Sequence, residues 1–255
     1  MLLAVDIGNT NVSFGVFDGE KLVANWNMET DIRRMPDEYA ALLITLLQHH
    51  NLRAADIKEV SLLSVVPPLI QTFEELFRKY FHVDPLVVGP GVKTGVRIRL
   101  DNPREAGADR IVHAAAAHHL YGGPVIIVDM GTATTFDTVS REGDYLGGAI
   151  APGVNTAAEA LFTRAAQLYR VALVPPKRAI GTNTVAAMQS GIIFGYVGLI
   201  EGVVNRIQRE LPEKAKVVAT GGNVYIIANE TKIIDIVNPY LILIGLRLIY
   251  EMNRS

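Results

Sequence analysis

The chain has 255 residues, 49% hydrophobic and 20% charged, with a net charge of -2. That length can bury one large core or two small ones, and the lack of a basic excess argues against binding nucleic acid or an anionic membrane. There is no cysteine, which excludes disulfides, thiolate chemistry and cysteine-ligated zinc.

In chain order, Leu2 to Val5 reads as a short strand ending at Asp6, and Asn11 to Phe17 as a second. Asp18-Gly19 forms a hairpin turn into a third strand, Leu22 to Met28. Met35-Pro36-Asp37-Glu38 starts a helix that runs to His49, with proline and two acids at its positive end. Val60 to Val66 is a strand stopped by Pro67-Pro68, Leu69 to Phe81 a helix and Pro85 to Val88 a short strand. After a loop from Gly89 to Gly95, Asn102-Pro103 opens a helix to Leu120, ended by Gly122-Gly123. Three strands follow: Pro124 to Asp129, Thr134 to Val139 and Tyr145 to Ile150. Pro152-Gly153 precedes a helix from Thr156 to Gln167, and a long helix covers Val185 to Glu210. Val217 to Ala219 is a strand leading into Thr220-Gly221-Gly222, and Pro239 to Met252 is the last helix.

The N-terminus has no basic region before Asp6, so it does not read as a signal peptide. The longest uncharged stretch, Ala179 to Ile200, has the length of a membrane span but carries Thr182, Asn183, Thr184, Gln189 and Ser190. It reads as a loop followed by a buried helix. The expected setting is the cytoplasm, with neither membrane nor nucleic acid as partner.

Two segments repeat. Asp6-Ile7-Gly8-Asn9-Thr10-Asn11 follows one apolar strand and Asp129-Met130-Gly131-Thr132 another, and each leads through a strand and a Gly-containing acidic turn to a third strand. One Asp-x-Gly is usually only a turn; the matched pair predicts two duplicated lobes, residues 1–120 and 121–255, whose hairpins face a shared cleft. Glycine lets backbone N–H groups approach phosphate closely, and a strand-end carboxylate suits hydrated Mg2+. Other phosphate binders fit poorly. Gly89 to Gly95 has P-loop ingredients in the wrong order, and no Gly-x-Gly-x-x-Gly opens a helix after a strand.

With Ser64-Val65-Val66-Pro67, Asp101-Asn102-Pro103, Gly107-Ala108-Asp109-Arg110, Gly147 to Gly153 and Thr220-Gly221-Gly222 in order along the chain, the sequence resembles type III pantothenate kinase. The resemblance implies an α/β fold of two duplicated actin-like (ribonuclease H-like) lobes, in the superfamily of acetate and sugar kinases, heat-shock proteins and actin. It implies a homodimer that phosphorylates pantothenate with ATP, the first step of coenzyme A synthesis. Carried over residue by residue, Asp6, Ile7, Gly8, Asn9, Thr10, Asn11, Val12 and Ser13 form the first ATP loop, with Asp6 also placing Mg2+. Thr132 touches ATP phosphates, and Gly221 and Gly222 lie by the adenosine. Asp109 is the general base. Gly107, Ala108, Asp109 and Arg110 line the substrate site, with Arg110 facing the pantothenate carboxylate, and Thr184 contacts substrate. Asp129 ligates potassium (or ammonium).

Leu100 stands where the family usually has tyrosine before Asp-Asn-Pro, which removes a phenol from the substrate side, and Tyr169 stands where proline is frequent. A kinase of another small hydroxylated acceptor, or a non-catalytic nucleotide-binding regulator on the same fold, stays open at this point. Asp109 alone could equally cap a helix turn, and Thr184 could be the N-cap of the long helix. The spacing of His113, His118 and His119 does not place them on one helix face, so they do not read as a metal site. Ile192, Ile193, Phe194 and Tyr196 are core or dimer interface.

Overall fold

The computed structural model describes residues 1–165 and 167–254. They divide into two compact units, neither continuous in sequence. The first comprises Met1–Gly95, Arg104–Ala116 and the segment from Leu241 onward; the second comprises Val96–Pro103 and Ala117–Tyr240. The expected split after residue 120 differs from this division: Val96–Pro103 and the residues from Ala117 to 120 fall in the second unit, and the segment from Leu241 onward falls in the first. The last helix, assigned from sequence to the second lobe, packs against strands of the first.

In the first unit, β1 (Leu2–Ile7), β2 (Asn11–Asp18) and β3 (Lys21–Glu29) form an antiparallel meander. After α1 (Pro36–His49), β4 (Glu59–Ser64) returns parallel to β1. The chain then forms α2 (Pro67–Leu76), a π-helical turn at Phe77–Phe81 and the short β5 (Leu86–Val87). The strand order is β3-β2-β1-β4-β5. Pro67 and Pro68 begin α2 instead of preceding it, because first-turn N–H groups have no intrahelical partner for proline to remove. Strand alternation sends Leu3, Val5, Ile7, Val12 and Phe14 to one face, where Tyr39, Leu43 and Leu47 of α1 and Phe73 of α2 bury them.

In the second unit, β6 (Arg97–Ile98) is an added edge strand that the sequence reading left unassigned. Asn102-Pro103 does not start the next helix. A 3-10 turn spans Pro103–Glu105, and α3 begins later, at Ala108–Tyr121, crossing from one unit's residues into the other's. β7 (Val125–Met130), β8 (Ala133–Val139) and β9 (Asp144–Pro152) repeat the antiparallel meander. α4 (Val154–Arg164) and α5 (Thr184–Glu210) follow, and β10 (Lys216–Thr220) returns parallel to β7. α4 stops short of the expected Gln167, and Ala166 within that span lies outside the described residues. After α6 (Val224–Ala228), β11 (Ile236–Val237) gives the order β11-β10-β7-β8-β9-β6.

Apart from edge strand β6, this is the topology of the first sheet. Even the irregularity recurs: the register slips between Val16 and Phe17 on β2 and between Thr138 and Val139 on β8. Ile126, Val128, Met130 and Phe136 face Ile193, Tyr196 and Ile200 of α5 and Val224 of α6. By alternation Asp129 lies on the opposite face, as Asp6 lies opposite α1 and α2. The final helix, α7 (Leu241–Asn253), covers that other face of the first sheet. It approaches so closely that a Cβ on Gly15 would stand 2.9 Å from Leu243 Cδ1.

Candidate active site

Each sheet carries one polar turn at the end of its first strand. In the first unit the Gly8 N–H donates to Asn11 O at 3.0 Å, closing the turn Gly8-Asn9-Thr10. Asn9, Thr10 and Asn11 are exposed, while Asp6 is half-buried opposite Ser13. Ile7 and Val12 are buried in the core and support the turn from below. Thr30, just past β3, donates its N–H to Thr10 O at 3.0 Å and its hydroxyl to Gly8 O at 2.8 Å.

The second unit builds a shorter version. The Gly131 N–H donates to Ala133 O at 3.0 Å, and Asp129 pairs with Thr135 across the strands. Thr132 O accepts from Gly153 N–H at 3.0 Å and from the Thr156 hydroxyl at 2.8 Å. A Cβ on Gly153 would stand 2.3 Å from Gly131 O, so only glycine lets β9 end so near this turn. Gly221, at φ +95°, sits directly on Asp129: its missing Cβ would lie 2.5 Å from Asp129 Oδ1 and 2.6 Å from Met130 N. The next residues curl over the strand end, the Asn223 N–H donating to Met130 O at 3.3 Å and the Asn155 amide to Asn223 Oδ1 at 3.1 Å. Thus Asp129, Thr132, Gly221 and Gly222 gather at one sheet end, joined by Gly153, Asn155, Thr156 and Asn223, which the sequence reading assigned no role.

Gly107, Ala108, Asp109 and Arg110 form the start of α3 in the first unit and are half-buried. Asp109 Oδ1 accepts the Arg110 N–H at 2.9 Å, taking up one of the unpaired donors of the first helical turn. Its carboxylate stays close to Gly107, where a Cβ would come within 2.6 Å of Oδ1. This bond uses Oδ1.

Leu100 and Thr184 lie on other features of the second unit. Arg97 and Arg99 grip Asp144 of β9 at 2.6 and 3.2 Å, and this fixes the strand that delivers Leu100. Burial disfavours the charged Asp144 carboxylate, but the two guanidiniums outweigh it and hold the group below the usual carboxylate range. Leu100 Cδ2 then rests 3.0 Å from where a Cβ on Gly147 would be. Thr184 is the first residue of α5 and exposed, but it is not the cap. Asn183 Oδ1 accepts the Ala186 N–H at 2.9 Å, so the N-cap reading of Thr184 is corrected by one residue.

Thr184 lines an apolar groove of about 820 Å³ between α4 and α5, with Leu161, Gly191, Gly195 and Leu199. The groove reaches Pro152, beside the second turn. Tyr196 ties the two together, donating to Pro152 O at 2.7 Å while its hydroxyl also meets Thr134. Burial pushes the Tyr196 phenol above its ordinary range, against the lowering effect of the Thr134 bond.

The family model for type III pantothenate kinase matches residues 2–206. The chain belongs to this family. A type III pantothenate kinase of Dehalococcoides mccartyi (strain CBDB1) is 58% identical over 253 residues, covering 99% of this chain and 96% of the relative. One from Geobacillus kaustophilus is 51% identical, covering 99% and 98%. Among solved structures, a Campylobacter jejuni protein described as a Baf family transcriptional activator superposes with a TM-score of 0.62 at 22% identity, covering 98% of each chain. At that identity the likeness establishes the fold alone. The two sheets of this chain repeat one strand order, β3-β2-β1-β4-β5 and β9-β8-β7-β10-β11, the duplication expected from the paired Asp-x-Gly segments.

Proposed function

We propose that this chain transfers the γ-phosphoryl group of ATP to the primary hydroxyl of pantothenate, giving 4'-phosphopantothenate, the first step of coenzyme A synthesis. Family membership across nearly the whole chain carries the reading, and two like-built Asp-x-Gly turns support it. Phosphoryl transfer requires alignment and charge stabilisation more than covalent chemistry. Asp109 accepts the proton of the attacking hydroxyl as the bond to phosphorus forms and ADP leaves. Arg110 pairs with the pantothenate carboxylate, with Gly107, Ala108, Leu100 and Thr184 on the substrate side. The turn from Asp6 through Ser13 and Thr132 bind the ATP phosphates, and Gly221 and Gly222 lie against adenosine.

The residues present fit the cations that such a reaction uses. Among the described residues no three carboxylates or imidazoles converge, so each cation would rest on one carboxylate plus substrate oxygens, as Mg2+ commonly does. Asp6 would hold Mg2+ and Asp129 potassium or ammonium. Their chemistry is to offset charge on the phosphates. The decisive assay follows ADP release from ATP, Mg2+ and pantothenate, with potassium or sodium as the only monovalent cation. Turnover should require pantothenate and be faster in potassium. Folded protein inactive in both salts would overturn the reading, and equal rates in both would remove Asp129 as a potassium ligand.

We assign a second copy of the chain to the exposed face of α5, and a cytoplasmic setting to the enzyme. α5 is the one helix among the described residues long and apolar enough to cross a membrane, yet only 39% of its most apolar stretch is buried. Gly191 and Gly195 face open space, and the groove beside them is continuous with Thr184, so a partner there would complete the substrate side. Sedimentation should give a dimer, with Gly195→Glu shifting it to the single chain. A wild-type monomer at micromolar concentration would refute the assignment.

A further inference from the structure

We propose that Thr30 in one unit and Thr156 in the other are positioning residues that orient the two phosphate turns for nucleotide binding; this rests on the kinase reading above. Neither residue belongs to the repeat visible in the sequence: Thr30 directly follows β3, at the position that Gly153 takes after β9, and Thr156 lies in the first turn of α4. Each donates a hydroxyl to a turn carbonyl at 2.8 Å: Thr30 to Gly8 O and Thr156 to Thr132 O. In each unit a backbone N–H adds a second bond at 3.0 Å, from Thr30 to Thr10 O and from Gly153 to Thr132 O.

The consequence follows from peptide geometry. A trans peptide is planar, and its C=O and N–H point in opposite directions. Drawing Gly8 O and Thr10 O toward Thr30 therefore turns the N–H groups of Asn9 and Asn11 away from β3. Drawing Thr132 O toward Gly153 and Thr156 turns the Ala133 N–H away in the same manner. An anionic ligand needs N–H groups presented and carbonyl oxygens withdrawn, because an outward carbonyl repels phosphate. Four hydrogen bonds in two separate units thus withdraw the carbonyl oxygens. Neither threonine needs to touch the nucleotide.

The test uses the full chain and calorimetric titration with Mg·ATP and with AMP. AMP shares the adenosine and α-phosphate but lacks the β- and γ-phosphates. Thr30→Val and Thr156→Val keep side-chain shape and remove the hydroxyl, and should each weaken ATP about five- to tenfold, the effect of one lost hydrogen bond. AMP affinity should hold within about twofold. Thr30→Ser and Thr156→Ser retain the donor and should restore ATP binding, which a purely space-filling role would not do. The inference fails if the Val variants bind ATP like the wild type, if they lose ATP and AMP in equal proportion, or if Ser does not rescue. Wild-type protein that binds no ATP would instead overturn the kinase reading, and the inference with it.

Discussion

Asp109→Asn should lower kcat by about 10²- to 10⁴-fold, the range set by removing a positioned general base. The substitution isolates that role because of how Asp109 is held. Its Oδ1 accepts the Arg110 N–H, and an asparagine oxygen can accept the same bond. The start of α3 should therefore survive, and thermal stability should stay within about 0.5 kcal/mol of the wild type. Asparagine is also nearly isosteric with aspartate, so the tight space beside Gly107 is respected. What the variant lacks is a group able to accept the hydroxyl proton. Steady-state kinetics should show kcat and kcat/KM falling together, the pattern of an interaction made in the transition state. The KM for ATP should barely move. Normal turnover would remove Asp109 as the base, and a large fall in melting temperature would instead assign it to holding the helix.

Much of this architecture is legible in the residues because it is written locally. Each strand, acidic turn and strand in the two meanders is signalled by alternation and by Asp-Gly or Gly-Asp pairs. The recurrence of Asp-x-Gly exposes the duplication without any tertiary information. What stays hidden acts across strands. Gly153, Thr156, Asn223 and Thr30 matter through backbone oxygens brought near only by sheet register and by the return of β10 beside β7. Asn223 carries one local signal, since it directly follows Gly221-Gly222. Thr30 has no such signal: it lies twenty-odd residues from the turn it holds, in a segment otherwise notable for Arg33 and Arg34. The partner of α7 is equally invisible, because its apolar face fits any apolar surface. Only Gly15 and Gly245 identify it, through contacts of 2.9 Å with Leu243 and 2.5 Å with Val112 O that a Cβ would make.

Gly221→Ala should cost both stability and activity. At φ +95° an L-residue is strained by about 1–3 kcal/mol. The added methyl must also clear Asp129 Oδ1 at 2.5 Å, Met130 N at 2.6 Å and Met130 C at 2.7 Å. Two of these atoms are backbone of the central strand β7, paired on both sides and unable to retreat. The easier movement is of the Asp129 carboxylate, so the strain is transferred to the end of the strand that leads into the second turn. A displacement on the order of 1 Å there can reduce kcat/KM for ATP about 10²-fold. Gly222→Ala separates the two effects, since a Cβ on Gly222 meets nothing within 4 Å. Its melting temperature should match the wild type, while ATP binding weakens as the methyl fills space assigned to adenosine. Wild-type stability and kinetics in Gly221→Ala would refute the close packing of Gly221 on Asp129. Undiminished ATP affinity in Gly222→Ala would move adenosine away from this turn and leave the Asp129 contact standing.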